Sequence, residues 1–276
     1  MKIDTGAGER ETYIRAEAFD TEKVRADLAR DGFSIVRGLV PTERIASIRA
    51  FWIEKFSSAP EGRVTWSPYL GQANHIGFSA DSFQNLFRSC DFFWNPPIHE
   101  ETRQVGIEMN ALRNLLLDKD PAYGLRFTDN RYGIFMTASY YPAHTGYMQM
   151  HRDTVVAQES LIHCLAPMTH KGIDYAEGGM VLVDRHGNQL DVEGMLVPGD
   201  AVFYDGALEH AVAPIVPLPG KDIGRLQILP LPTWFTDIKQ NPRALNVVPV
   251  SVYARAKWVC FKNALRIRLG FRPSLR

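Results

Sequence analysis

Cysteine and net charge are both scarce in this sequence. Its three cysteines, Cys90, Cys164 and Cys260, lie far apart and show neither the paired spacing of a zinc ribbon nor the density of a disulfide framework. The 31 basic and 31 acidic residues cancel, so no overall field would attract the chain to nucleic acid. We therefore expect a reducing compartment, and a small molecule rather than nucleic acid as the partner.

Long apolar runs are absent too. No stretch reaches the roughly 20 apolar residues that a bilayer span needs, and the opening MKIDTGAGERETY lacks the apolar segment of a signal peptide. These absences predict a cytoplasmic protein, and nothing in the pattern indicates an oligomeric state. With 276 residues, 45% of them hydrophobic, the chain can bury one sizeable core, so we expect a single domain.

The local pattern changes near residue 128. Helical spacing begins at Thr21 and Thr42 and returns over 98–118, whereas 57–95 shows no clear period and is expected to be irregular. Beyond 128, short β-rich runs such as YGIFMTASYY, AVFYD and RLQILPL are separated by Gly, Pro, Asp and Asn. This predicts a mainly β fold with N-terminal helices, a double-stranded β-helix or cupin-like jelly roll.

The single domain then has three parts: an N-terminal elaboration with pocket loops (1–127), a jelly-roll core (128–235) and a basic tail (236–276). The tail has apolar residues between its Lys and Arg, so it could touch an anionic membrane surface. Packing on the domain with solvated charges is the more common outcome for such a pattern. Aromatic residues within 65–97 could either wall a substrate pocket or pack in the core.

Two histidines and an aspartate have the spacing of metal ligands. In the run YMQMHRDTVV, His151 and Asp153 are two apart, so an extended backbone directs both side chains to one face. An isolated pair of this kind also occurs at surfaces and caps. Here it is followed by a PGD turn and an apolar strand that ends at His210, which supplies a third ligand if the jelly roll returns the chain to the same mouth.

Two imidazoles and one carboxylate form the facial triad that binds Fe(II) and leaves three positions open. Those positions suit a 2-oxo acid and O2. A closed four-ligand zinc site could not accept them. The distal carboxylate of 2-oxoglutarate would need a cation, and Arg225 begins the strand RLQILPL, where alternation places Gln227 on the same face. Lys221, in the preceding turn, is the rival cation.

Taken together, these residues resemble the phytanoyl-CoA dioxygenase-like family of Fe(II)/2-oxoglutarate-dependent oxygenases. The resemblance covers roughly 20–235 and is carried by RADLARDGFSIVRGLVP, the motif His151-Arg152-Asp153, the run PGDAVFYDGALEHAVAP and Gly224-Arg225. It implies the double-stranded β-helix fold, Fe(II), 2-oxoglutarate, O2 and hydroxylation. It also implies that Tyr140 hydrogen-bonds the cosubstrate, with a buried core tyrosine as the alternative. Related halogenases lack a carboxylate at the position of Asp153, so its presence favours hydroxylation, desaturation or cyclisation.

Other polar residues near the motif have less defined roles. Gln149 lies two residues before His151 and could share its face, which makes it a candidate substrate contact. His144, His163, His170 and His186 lack the triad's spacing, and we expect most of them to be surface or satisfied polar residues, with room for one substrate contact. Two other functions stay open: a jelly-roll metalloenzyme that does not use 2-oxoglutarate, such as a cupin-like isomerase or dioxygenase, and a non-catalytic binding module.

Overall fold

The computed structural model describes residues 12–57, 74–78, 85–86, 88–92, 99–125, 132–153 and 162–234. These ranges contain three α-helices, α1 (Thr21–Arg30), α2 (Thr42–Ser57) and α3 (Glu100–Leu116). Asp20 caps α1, because its carboxylate accepts a hydrogen bond of 3.0 Å from the backbone N–H of Lys23. None of the described helices is both long and apolar enough to cross a membrane.

Strands make up most of the rest. The same ranges hold twelve of them: β1 (Phe33–Val36), β2 (Asn74–Phe78), β3 (Asn85–Leu86), β4 (Arg88–Phe92), β5 (Tyr132–Tyr141), β6 (Tyr147–His151), β7 (Ile162–Pro167), β8 (Tyr175–Val183), β9 (Gln189–Asp191), β10 (Ala201–Asp205), β11 (His210–Pro217) and β12 (Arg225–Trp234). A seven-stranded sheet has the order β1-β10-β7-β12-β5-β4-β2, and a five-stranded sheet has the order β3-β6-β11-β8-β9. The expected jelly roll with N-terminal helices is confirmed.

The expectation of an irregular stretch over 57–95 was wrong in part. It contributes β2 and β4 to the larger sheet and β3 to the smaller one, where β4 pairs with β5 and β3 pairs with β6. The Gly-, Ser- and aromatic-rich sequence has no period of two, so these strands depend on pairing with neighbours distant along the chain. The aromatic side chains of 65–97 lie outside the side chains that the structure describes.

The larger sheet presents two different faces. Even-numbered residues of β5 and β12 pack with the three helices in the main core, as Tyr140 and Leu226 show. That core includes Trp52, which is fully buried and donates a hydrogen bond of 2.8 Å from Nε1 to the Thr102 hydroxyl. Odd-numbered residues of the same strands, such as Arg225, line a cavity whose other walls come from the smaller sheet. The cavity therefore lies between the two sheets of the jelly roll.

Candidate metal centre

The expected ligands meet at one end of this cavity. His151 ends β6 and His210 begins β11, and the antiparallel register places these two residues opposite each other. Their ring centroids are 4.3 Å apart. Asp153 lies just past β6, where its backbone N–H donates to the carbonyl of Gly206 at 2.9 Å. His151, Asp153 and His210 each offer a ligand atom, and these atoms all lie within 4.8 Å of one another.

Both histidines are oriented for metal binding through Nε2. Nδ1 of His151 lies 2.8 Å from the carbonyl oxygen of Gln149, and Nδ1 of His210 lies 2.9 Å from that of Leu208. A carbonyl oxygen only accepts, so each Nδ1 must carry the proton. With Nδ1 directed to the backbone, Nε2 is the ring atom available to a metal, and a backbone partner of this kind is the usual support of a metal-bound imidazole.

The protonation states also suit a cation. Burial alone would raise the pKa of the Asp153 carboxyl, but its contacts with His163 and His210 outweigh burial and hold that pKa well below its usual range. The pKa of His151 is lowered, chiefly by burial and then by the neighbouring His210. An ionised carboxylate beside a neutral imidazole is the form in which both groups bind metal.

A third histidine contacts the cluster. His163 lies on β7, and its side chain is only 5% exposed. Its Nε2 is 2.8 Å from Oδ2 of Asp153, although the ring is not aligned for a regular hydrogen bond. The same oxygen is 3.5 Å from Nε2 of His210, while Oδ1 is 3.7 Å from Nε2 of His151. Tyr204 packs between His163 and His210, with centroid separations of 5.4 and 5.2 Å. The carboxylate is therefore surrounded by three imidazoles.

An arginine faces the same cavity from β12. Arg225 is fully buried; its Nε donates to Oε2 of Glu193 at 2.7 Å and its Nη1 donates to Oε1 of Gln227 at 2.6 Å. Its Nη2 is buried and has no hydrogen-bond partner among the described residues. The ring of Tyr141 lies 5.5 Å from the guanidinium carbon. An unsatisfied buried N–H costs free energy, so Nη2 is suited to an incoming acceptor such as a carboxylate.

One cavity is lined by both the His-Asp-His cluster and Arg225. Its volume is about 230 Å³. Polar groups lie at both ends and apolar side chains between them, and the lining residues are Thr137, Ser139, Tyr141, Met148, His151, Asp153, His163, Leu165, Met180, Tyr204, His210, Ala211, Val212, Arg225, Gln227, Leu229 and Leu231. A small molecule with a metal-chelating end and a carboxylate end matches this distribution.

The structure corrects the expectation for Tyr140. This residue is opposite Leu226 in the β5–β12 register, and directly opposite residues of an antiparallel pair share a face. Tyr140 therefore points to the helices, stacks on Phe56 at 5.7 Å and accepts a hydrogen bond of 2.9 Å from the Gly224 N–H through its hydroxyl. Tyr141, opposite Arg225, is the tyrosine that lines the cavity.

Gln149 is also absent from the cavity lining. His151 pairs with His210 but Met148 pairs with Val212, so the two residues between the pairs in β6 oppose a single residue of β11. This bulge breaks the alternation that would have put Gln149 on the face of His151. Met148 takes the place at the cavity wall. The rival cation Lys221 is exposed and donates to the carbonyl of Ile173, away from the cavity.

Comparisons with known proteins support the fold. No family model matches the chain, and no curated protein is significantly similar to it. A prolyl-4-hydroxylase from Pseudomonas putida is 16% identical, with a TM-score of 0.54 over 77% of this chain and 98% of that one. A candidate oxygenase from Shewanella oneidensis is 15% identical, with a TM-score of 0.51 over 81% and 90%. AviO1 from Streptomyces viridochromogenes is 15% identical, with a TM-score of 0.50 over 78% and 95%. These chains share a jelly-roll fold. The resemblance to phytanoyl-CoA dioxygenases stays a prediction.

Within this jelly roll, two residues at the site were not singled out from the sequence. His163 is the polar residue in the otherwise apolar strand IHCLAP, and that contrast is a signal that could have marked it. Glu193 lies in a single 3-10 turn, Glu193–Met195, and nothing in the surrounding sequence distinguishes it. Its contact with Arg225 arises from the packing of distant segments.

Proposed function

We propose that this chain is an Fe(II)/2-oxoglutarate-dependent oxygenase that acts on an unactivated C–H bond of a small molecule, with hydroxylation as the expected outcome. The observation that carries the proposal is that His151, Asp153 and His210 line the same cavity as Arg225, whose Nη2 has no hydrogen-bond partner in the part of the chain that the structure describes. A jelly-roll metal site that binds no dicarboxylate does not require a buried arginine in the same cavity.

The residues present fit both groups. Nε2 of His151, Nε2 of His210 and a carboxylate oxygen of Asp153 would hold the iron and leave three positions open. Bound together, iron(II) and 2-oxoglutarate supply the oxidising power with which O2 converts a C–H group to an alcohol, while 2-oxoglutarate becomes succinate and CO2. Arg225 would bind the distal carboxylate through Nη2, with Gln227 fixing the orientation of the guanidinium.

The apolar middle of the cavity separates these two polar ends. Leu165, Met180 and Leu229 lie on its walls, and their apolar side chains would exclude water once a ligand fills the cavity. Such exclusion would strengthen the electrostatic contacts at both ends. Tyr204 and His163 continue the wall around Asp153, so the metal end is closed by aromatic rings on one side.

The whole chain is proposed to form one oxygenase domain with the core at 128–235. The basic tail, 236–276, lies outside the described residues, so its contact with a membrane or with the domain stays a prediction. The substrate class beyond a small molecule and the cytoplasmic location are predictions as well.

A cosubstrate comparison tests the proposal. Anaerobic titration of the iron(II) protein, followed by the visible absorption of the metal chelate, should show 2-oxoglutarate binding at least about tenfold more tightly than 2-oxopentanoate, which lacks the distal carboxylate. Arg225→Gln should remove this preference, because it removes the charged fork. Lys221→Ala is the matched control and should retain it.

Other outcomes identify other functions. Equal affinity of the two oxo acids in the unaltered protein would refute the arginine assignment and favour a jelly-roll metalloenzyme that uses no 2-oxoglutarate. A protein that binds neither iron(II) nor oxo acid at the site would fit a non-catalytic binding module. Thermal unfolding of each variant shows whether a loss of binding reflects a loss of folding.

A further inference from the structure

Glu193 is placed to control the arginine end of the cavity. The residue is 2% exposed, and its carboxylate receives three hydrogen bonds: from the Tyr175 hydroxyl at 2.6 Å, from the Met180 N–H at 2.9 Å and from Nε of Arg225 at 2.7 Å. Gly179 makes the approach possible, since a Cβ there would lie 2.2 Å from Cγ of Glu193. The contact is thus built into strand β8.

Glu193 and Gln227 use only part of the hydrogen-bond donors of Arg225. A guanidinium has five N–H groups. One serves Glu193 and one serves Gln227, which leaves three, two of them on Nη2, for which the described residues supply no acceptor. Glu193 therefore occupies Nε and Gln227 occupies one N–H of Nη1, which leaves both N–H groups of Nη2 for a ligand. A carboxylate offers two directional oxygen acceptors to such N–H groups, whereas a chloride ion has no preferred direction of approach.

Glu193 also cancels the charge of Arg225. Both residues are almost fully buried, and a lone charge there would cost several kcal/mol of desolvation and would attract any small anion. With the carboxylate 2.7 Å away, the pair is neutral as a whole. What Arg225 then offers to a ligand is a set of directional N–H groups on a buried side chain that lines the cavity. Recognition then depends on shape and on hydrogen bonds more than on net charge.

We propose that Glu193 is a positioning and specificity-determining residue that makes the Arg225 end of the cavity selective for a carboxylate over simple anions such as chloride. The proposal rests on the proposed function, in which Arg225 receives the distal carboxylate of 2-oxoglutarate. It concerns a residue outside the metal centre and away from the reacting atoms.

The test compares two salts at one ionic strength. The affinity of the iron(II) protein for 2-oxoglutarate is measured anaerobically in sodium chloride and in sodium 3-(N-morpholino)propanesulfonate, a bulky anion that carries no carboxylate. In the unaltered protein the two dissociation constants should agree within about twofold, because the neutral pair does not attract chloride. In Glu193→Gln, chloride should weaken 2-oxoglutarate binding at least about fivefold, because the charge of Arg225 is no longer balanced.

Two variants separate this role from a merely structural one. Glu177→Gln removes the same charge from an exposed position of β8 and should behave like the unaltered protein. Tyr175→Phe removes one hydrogen bond to Glu193 but keeps the charge, so chloride should again have little effect. A structural role alone would lower the stability of Glu193→Gln and Tyr175→Phe without a chloride-specific loss of binding.

A second readout needs neither metal nor cosubstrate. The metal-free Glu193→Gln protein should unfold at a higher temperature in chloride than in the bulky sulfonate, since chloride bound beside Arg225 stabilises the folded state, and the unaltered protein should show no such difference. Chloride sensitivity of the unaltered protein, or equal behaviour of all variants in the two salts, overturns the proposal. If the iron(II) protein gives no chelate band at all, the proposed function fails while the metal-free comparison still tests Glu193.

Discussion

Gly179 offers a direct test of the Glu193 contact through the substitution Gly179→Ala. This glycine has φ of +98°, and a Cβ built on it lies 2.2 Å from Cγ and 2.7 Å from both Cβ and Cδ of Glu193. Three atoms of the buried Glu193 side chain would thus overlap with the new methyl group, and a small rotation of that side chain cannot relieve all three contacts. The methyl group must expel Glu193 from its place beside Arg225.

The expected loss of stability has two parts. A non-glycine residue at such a φ costs about 1–3 kcal/mol. Breaking a buried ion pair costs about 3–5 kcal/mol, because Arg225 keeps an uncompensated charge. Together they predict a loss of about 4–8 kcal/mol in the free energy of unfolding, a large share of the roughly 5–15 kcal/mol that holds a domain folded. Affinity for 2-oxoglutarate should fall with it.

Gly187→Ala is the matched control. Gly187 has a φ of +86°, and a Cβ there meets no atom within 4 Å, so the substitution introduces the backbone strain without the clash. Urea unfolding of the two metal-free variants, followed by circular dichroism, measures the difference. Equal losses for the two glycines, with unchanged 2-oxoglutarate affinity in Gly179→Ala, would refute the reasoning about Glu193.

Three further predictions concern the metal end and the core. Asp153→Asn should weaken iron(II) binding at least about tenfold in a calorimetric titration, since it removes the anionic ligand; retained affinity would contradict the assignment. His163→Leu should weaken iron(II) binding about tenfold or more by releasing Oδ2 of Asp153, with His186→Leu at an exposed position as control; an unchanged affinity would show that the contact is incidental. Cys164 should resist alkylation in the native protein at pH 8 and react after unfolding in urea, because burial raises the pKa of its thiol to about 12; rapid native labelling, detected by peptide mass spectrometry, would argue against its burial.

Short-range patterns predicted several parts of the site correctly. The alternation that groups Arg225, Gln227 and Leu229 on one face is confirmed, because all three line the cavity. The His-x-Asp spacing likewise brought His151 and Asp153 together. These predictions depended only on the geometry of one extended strand, which sequence spacing describes well.

Predictions that needed the pairing between strands were less successful. The choice between Tyr140 and Tyr141 depends on the β5–β12 register, and the sequence does not indicate which residue lies opposite Arg225. The error for Gln149 came from a bulge in β6, where one extra residue reverses the alternation. Neither the register nor the bulge can be derived from the period of a single strand.

The sequence by itself determined the jelly-roll class, the residues proposed as metal ligands and the strand that carries the cavity arginine, because hydrophobic period, turn residues and ligand chemistry are local properties. Only the tertiary structure decided that His163 contacts Asp153 and that Glu193 balances Arg225. Those contacts join residues from separate strands and turns. They exist because two sheets pack face to face and bury charged groups that must then find partners across the interior.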